Sequence, residues 1–142
     1  MGRHAPSRVY FCRLFRLVKY FESERFRFSI STRAFLDQFP RNAVDAVNEK
    51  AYENALVIEL KKYGHTIEQQ RRFDVFYEGI LVDNLVPDLL VDGLVVVDPK
   101  VVTEFNDTHV AQMMGYLAIT GYKLAILLNF KHADLRHKRV VR

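Results

Sequence analysis

The chain has 142 residues, of which 49% are hydrophobic, so it can bury one core but hardly two. Its 21 basic and 17 acidic residues give a net charge of +4, which permits a polyanionic partner without requiring one. The single cysteine, Cys12, excludes an internal disulfide and a cysteine-based zinc cluster, and no apolar run reaches the roughly 18 residues of a membrane span. We expect a soluble, cytoplasmic protein with no membrane partner.

Residues 1–40 differ in composition from the rest of the chain. Basic residues alternate there with aromatic ones, and the only acids are Glu22, Glu24 and Asp37. This composition predicts an extension that precedes a folded domain at residues 41–142. An arginine-rich, acid-poor start is typical of a mitochondrial transit peptide, and a nucleic-acid-binding arm or a membrane-surface helix fits as well. An extension without a function of its own, a frameshift and a misassigned start are further interpretations.

After Pro40 the hydrophobic pattern becomes regular. Apolar residues recur at near-helical spacing between residues 44 and 60, which predicts a helix that Asn42 caps and Gly64 ends. The pattern then becomes that of strands at residues 66–77, 80–91 and 94–102, joined by turns at Glu78-Gly79 and Asp92-Gly93. The sequence therefore predicts one helix followed by three antiparallel strands.

A second helix and a buried strand follow. Asp107 is predicted to cap a helix that runs to about Thr120 and ends at Gly121. Residues 123–130 are almost wholly apolar, which is typical of a strand that is buried on both faces. In the basic tail, residues 139–141 are a candidate for a short edge strand.

Two carboxylates and a lysine stand near the ends of two adjacent predicted strands. If the Asp92-Gly93 turn pairs these strands, residues whose numbers sum to about 185 face one another, so Asp88 and Asp98 lie nearly opposite. Lys100 follows Asp98 by two residues and therefore lies on the same face of its strand. The sequence thus predicts that the three charged groups are neighbours in space.

These groups suit a divalent metal site that acts on phosphodiesters. Carboxylate oxygens bind Mg²⁺, with Mn²⁺ as an alternative, and such an ion polarises phosphoryl oxygens and activates water. Asp88 and Asp98 are the candidate ligands together with the backbone carbonyl of Pro99, and Lys100 is placed to orient the water. The structural alternative is a solvated ion pair at a strand end. The adjoining apolar runs favour the metal site, because charges beside buried strands are costly without a ligand.

Five segments, which include EKAYENALVIEL, PDLLV and VVVDPKV, resemble the GxxExxY protein family, a branch of the PD-(D/E)XK nuclease superfamily. They are residues 49–60, 87–91, 95–101, 112–117 and 127–130. The resemblance implies an α/β (α+β) fold with a restriction-endonuclease-like αβββαβ core, in which helices flank a mixed central sheet. It also implies that Asp88 and Asp98 bind the metal, that Lys100 orients water, and that Glu49 adds a further acid to the catalytic and metal site.

The resemblance extends to the second helix. Gln112 and Tyr116 match a glutamine-x-x-x-tyrosine motif that borders the active site, and their spacing places both on one helix face, within reach of substrate or of the catalytic lysine. His109 lies one turn earlier and is a candidate phosphate contact, or alternatively a surface histidine satisfied by its neighbours. Gln70 fits a family glutamine at the first strand, without a role that the sequence defines.

The function implied by the resemblance is that of a Mg²⁺-dependent nuclease, a phosphodiesterase whose partner is nucleic acid and whose expected substrate is DNA. A non-catalytic module that keeps the fold to bind nucleic acid or protein is an alternative, as is an inactive remnant with an altered N-terminus, because Ala46 stands where the family motif has glycine. A homodimer is compatible with the sequence. Candidate phosphate contacts, alternatively a solvated face, are Arg71, Arg72, Lys131, Arg136, Lys138 and Arg139.

Overall fold

A computed structural model describes Lys19, residues 48–132 and residues 135–142. The elements are α1 (Glu49–Lys62), β1 (Ile67–Gln69), β2 (Phe73–Tyr77), β3 (Ile80–Leu85), β4 (Leu89–Val91), β5 (Val95–Lys100), α2 (Asp107–Thr120), β6 (Leu124–Asn129) and β7 (Arg136–Val141). Within this part of the chain, no helix is long and apolar enough to cross a membrane. Apart from Lys19, the predicted extension at residues 1–40 lies outside the described residues.

A mixed five-stranded sheet forms the centre of the molecule, in the order β1-β4-β5-β6-β7. Strands β5 and β6 are parallel and the other neighbours are antiparallel. A parallel pair needs a crossover connection, which α2 supplies. The predicted αβββαβ core is confirmed by α1, β1, β4, β5, α2 and β6, and β7 extends the sheet at one edge as a longer strand than the predicted residues 139–141.

The prediction of two uninterrupted strands at residues 66–77 and 80–91 is wrong. Strands β1 and β4 pair in the central sheet, whereas β2 and β3 pair with each other in a separate two-stranded sheet. Gln70 has a positive φ of 54°, which turns the chain out of the direction of β1. Both predicted turns are confirmed, and all four of their residues have positive φ. Glu78-Gly79 is a two-residue loop between Tyr77 and Ile80, whereas Asp92-Gly93 begins a three-residue loop between Val91 and Val95.

Both helices begin at an asparagine cap that the sequence analysis did not select. Asn48 has an extended backbone (φ −101°, ψ 177°) and its side chain accepts a hydrogen bond from the Ala51 N–H, so α1 is capped there and not at the predicted Asn42, which lies outside the described residues. Likewise Asn106 caps α2, one residue before the predicted Asp107. Gly121 ends α2 as predicted, with a left-handed φ of 79°.

The two helices cover opposite faces of the central sheet. Strand β6 is buried along its whole length, as its apolar sequence predicted. One core cluster joins α1 to the sheet and includes Tyr52, Leu56, Leu60, Leu89, Val95, Val97 and Ile126. The other joins α2 to the opposite face and includes Leu90, Val96, Met113, Leu117, Ala125 and Leu127. Alternate residues of β4 and β5 therefore face different helices, as the pleat requires.

Gly115 within α2 and Gly121, which ends the helix, should respond in opposite directions to alanine. Gly121→Ala is expected to lower the free energy of unfolding by about 1 kcal/mol, because its left-handed φ suits glycine. Gly115→Ala is expected to raise it by up to about 1 kcal/mol, since the position is helical and a Cβ there meets no atom within 4 Å. Urea unfolding of both variants tests this, and a gain in stability for Gly121→Ala would contradict its left-handed cap.

Candidate metal centre

The register of β4 and β5 brings the two predicted metal ligands together. Leu89 pairs with Val97, and the same register continued by one residue places Asp88 opposite Asp98, as the turn predicted. The pairing of β4 with β5 ends at this point. Pro99 lies just beyond the end of that pairing. Proline has no N–H to donate, but the strands no longer pair at this position, so no hydrogen bond to β4 is lost.

Glu49 completes a group of three carboxylates. One oxygen from each of Glu49, Asp88 and Asp98 lies within 4.8 Å of the others. The Val101 backbone N–H donates to Glu49 Oε2 at 3.4 Å, which ties the start of α1 to the end of β5. Glu49 is the first residue of α1, where the helix dipole favours a negative charge. Three carboxylate oxygens at this spacing suit a hard divalent cation.

Asp98 is the buried member of the group, with an exposed fraction of 2%. Burial and, after it, the neighbouring Asp88 carboxyl raise the pKa of Asp98 to about 7, although Lys100 opposes the rise. Its Oδ1 finds no hydrogen-bond partner in the part of the chain that the structure describes. Two ionised carboxylates are both acceptors, so Asp88 and Asp98 can hydrogen-bond only by sharing a proton. A cation can replace that proton, and the residues present therefore fit a divalent metal.

Lys100 lies beside this acidic group. Its Nζ is 3.1 Å from Asp98 Oδ2, and its side chain is 15% exposed. Burial alone would lower the pKa of Lys100, but the carboxylates of Asp98, Glu49 and Asp88 outweigh it, and the net effect is a raised pKa. Lys100 is therefore an ammonium ion at neutral pH, suited to electrostatic stabilisation and not to accepting a proton.

Gln112 and Tyr116 extend the polar network from Lys100 along α2. Lys100 Nζ donates to Gln112 Oε1 at 3.5 Å, and Gln112 Nε2 donates to Tyr116 Oη at 3.0 Å. Burial raises the pKa of Tyr116, and the charges of Asp98 and Asp88 add to the rise although the Gln112 hydrogen bond opposes it. The structure thus places both residues on the side of α2 that faces the lysine, which is one of the two arrangements that their spacing predicted.

The described contacts of His109 are local to the start of α2. The His109 Nδ1 accepts a hydrogen bond from the Asn106 backbone N–H, and the His109 backbone N–H donates to Asn106 Oδ1. The imidazole ring contacts the Phe105 ring edge-on, with the ring centres 6.4 Å apart. His109 therefore closes a capping box, a role that the sequence analysis did not identify. A phosphate contact by His109 and metal binding by the Pro99 carbonyl stay predictions.

Glu53 is a member of this region that the sequence analysis missed. It is 3% exposed and lies one turn after Glu49, and its carboxylate is hydrogen-bonded to Gln70, which also contacts Asp88. A cavity of about 440 Å³ is lined by Asn48, Glu49, Lys50, Glu53, Gln70 and Asp88. The sequence contained one signal for a role of Glu53: it follows Glu49 by four residues, which places both acids on one helix face.

Comparison with known proteins agrees with the fold. The model of the PD-(D/E)XK nuclease superfamily matches residues 41–141. Among solved structures, the chain is similar to an alkaline exonuclease (LHK-Exo) from Laribacter hongkongensis, with a TM-score of 0.51 and 15% sequence identity over 66% of this chain. The match spans 55% of the exonuclease chain, and at this identity it concerns the fold alone. No curated protein matches the sequence. Membership of the GxxExxY branch stays a prediction.

Asp98→Asn is expected to make the metal-free protein more stable at pH 8. Because the pKa of Asp98 rises from 3.8 to about 7 on folding, ionisation opposes the folded state as pH increases through this interval. The parent should lose stability between pH 4 and pH 7, and the variant should escape that loss, gaining about 2 to 4 kcal/mol at pH 8. Urea unfolding in EDTA at pH 4.5 and pH 8 measures the difference, and an equal effect at both values would contradict the raised pKa.

Proposed function

The chain belongs to the PD-(D/E)XK nuclease superfamily, and on this basis we propose that it is a Mg²⁺-dependent nuclease that hydrolyses phosphodiester bonds in DNA. One observation carries the proposal. One oxygen from each of three carboxylates lies within 4.8 Å of the others, Lys100 Nζ lies 3.1 Å from Asp98 Oδ2, and the buried Asp98 Oδ1 has no hydrogen-bond partner among the described residues. Acidic groups at a surface are common without a ligand, but a buried carboxylate oxygen that lacks a donor favours a cation.

The residues of the group have separate roles in this proposal. Glu49, Asp88 and Asp98 would hold the cation, with the Pro99 carbonyl as an additional oxygen ligand. When bound, the cation would lower the pKa of an attacking water and polarise the phosphoryl oxygens. Lys100, fixed by Asp98 and Gln112, orients the water and offsets the negative charge that develops on the phosphate. The Tyr116 hydroxyl accepts a hydrogen bond from the Gln112 amide N–H and so keeps the side-chain carbonyl oxygen of Gln112 directed at Lys100.

Positive charge near the acidic group supports a nucleic-acid substrate. Lys100 pairs with Asn129 on β6, and Asn129 pairs with Arg136 on β7, so Arg136 lies in the same row as Lys100 at about 10 Å, two strand spacings away. Lys131 is also exposed and follows the end of β6. Side chains at this distance can contact phosphates next to the one that is cleaved. The superfamily and the net charge of +4 are consistent with this role.

The purified protein is expected to cleave DNA in Mg²⁺ or Mn²⁺ and to lose this activity in EDTA. Lys100→Ala and Asp88→Ala should each lower the cleavage rate at least about 100-fold, because each removes a charge that acts on the reacting phosphate. The measurement is the rate of loss of labelled single- and double-stranded DNA, with RNA of the same sequence in parallel.

Lys62→Ala is the matched control for Lys100→Ala. Lys62 forms an ion pair with Glu59 at 2.7 Å in the last turn of α1, so its loss removes a lysine and an ion pair at the opposite end of that helix from Glu49. This control should keep parental activity. Cleavage that survives in both site variants would indicate a contaminating nuclease and refute the assignment. Binding of DNA without cleavage would instead favour a non-catalytic module.

Gln112 and Tyr116 are expected to act through Lys100 as one unit. Gln112→Leu removes an acceptor of the ammonium and should lower kcat about 10-fold with KM little changed. Tyr116→Phe removes only the hydroxyl that receives the Gln112 amide and should lower kcat about threefold. In steady-state kinetics, the double variant should resemble Gln112→Leu. Additive losses would show that Tyr116 acts independently of Gln112.

A further inference from the structure

Glu53 is a buried carboxylate that the proposed reaction does not use directly. Its Oε1 receives hydrogen bonds from Lys50 Nζ at 3.0 Å, Gln69 Nε2 at 3.1 Å and Gln70 Nε2 at 3.3 Å. Lys50 is about half exposed and lies one turn earlier on the same helix face, whereas Gln69 ends β1 and Gln70 follows it. Three donors on one oxygen hold the Glu53 carboxylate in a fixed orientation.

Gln70 connects Glu53 to the metal ligand Asp88. The same Nε2 group that donates to Glu53 lies 3.1 Å from Asp88 Oδ1, and the Gln70 backbone N–H donates to the Asp88 carbonyl at 3.0 Å. A side-chain amide has two N–H hydrogens, so it can serve both acids at once. The positive φ of Gln70, which few residues other than glycine adopt, is the conformation in which both contacts occur.

Gln69 provides an internal contrast. Its Nε2 donates to the same Glu53 oxygen, but its second contact is Asn54 Oδ1 at 3.1 Å. The two glutamines are adjacent, exposed and bonded to the same acid, yet only Gln70 reaches a carboxylate of the three-acid group. The contact of Gln70 with Asp88 is therefore separable from the support that both glutamines give to Glu53.

We propose that Glu53 and Gln70 are positioning residues that hold the Asp88 carboxylate in the orientation that binds the divalent cation. The inference rests on the proposed function, because it assigns Asp88 to a cation. Glu53 fixes the Gln70 amide, and the amide fixes one oxygen of the half-buried Asp88, so that Asp88 does not have to be ordered when the cation arrives. Hydrogen-bond partners of metal ligands typically change metal affinity 10-fold to 100-fold.

The affinity of the full-length protein for Mn²⁺, measured by isothermal titration calorimetry without substrate, tests the proposal. Gln70→Leu should weaken binding about 10-fold, because it removes the donor to Asp88. Gln69→Leu is the matched control and should change affinity less than about threefold. Both side chains are exposed, so neither variant threatens the fold. Equal effects of the two substitutions would overturn the proposal.

Glu53 variants supply a second readout. Glu53→Gln keeps an oxygen that can accept from Gln70 and should bind Mn²⁺ within about threefold of the parent, whereas Glu53→Leu should match Gln70→Leu. The Glu53→Leu and Gln70→Leu double variant should bind no more weakly than either single variant. In cleavage assays, Gln70→Leu should raise the Mg²⁺ concentration for half-maximal rate while kcat at saturating Mg²⁺ stays near the parental value. A lower kcat at every Mg²⁺ concentration would instead indicate a general structural role.

Asp88→Ala separates failure of this inference from failure of the proposed function. If Asp88→Ala weakens Mn²⁺ binding and Gln70→Leu does not, the positioning role is refuted while the metal site stands. If Asp88→Ala binds Mn²⁺ as tightly as the parent, Asp88 is not a ligand, and both proposals are overturned together.

Discussion

The pairing of β4 with β5 is the constraint on which the site depends. The three-residue loop formed by the Asp92-Gly93 turn and Leu94, with positive φ at its first two residues, sets the register in which Leu89 faces Val97. A slip by one residue would exchange the faces of the sheet and turn Asp98 towards the apolar core under α1. In the register observed, Asp98 and Lys100 share the α2 face with Val96, and Lys100 can reach Gln112. One tight turn therefore determines which helix contacts the lysine.

The end of the β4–β5 pairing explains how α1, on the other face, also supplies a carboxylate. Beyond Asp88 and Asp98 the two strands no longer hydrogen-bond, and the first residue of α1 reaches the sheet end at this opening. The bond from the Val101 N–H to Glu49 Oε2 holds that helix end in place. The site is thus built where regular pairing stops, because only there can groups from both faces of the sheet approach one another.

The sequence predicted those parts of the site that depend on local geometry. The hairpin turn placed Asp88 near Asp98, the two-residue period placed Lys100 beside Asp98, and α2 places Gln112 and Tyr116 as their spacing required. The break at Gln70 was missed although five consecutive polar residues, 68–72, interrupt the strand-like alternation there. The positive φ of Gln70 is supported by contacts with Asp88 and Glu53, which are distant in sequence and could not be predicted. For the same reason the role of Glu53 was not apparent. The helix start was missed because Asn42 and Asn48 are equally good caps in sequence terms.

The charges of the site select the kind of ligand. Three carboxylates surround one ammonium, so the fully ionised group has an excess of two negative charges, partly buried where water cannot screen them. Without a ligand, part of this excess is relieved because the pKa of Asp98 is raised to about 7, so that this carboxyl takes up a proton near neutral pH. A monovalent cation would leave one negative charge uncompensated, whereas a divalent cation balances the group and meets the oxygen that has no donor. The same imbalance that destabilises the metal-free fold therefore favours a divalent cation over a monovalent one at these carboxylates.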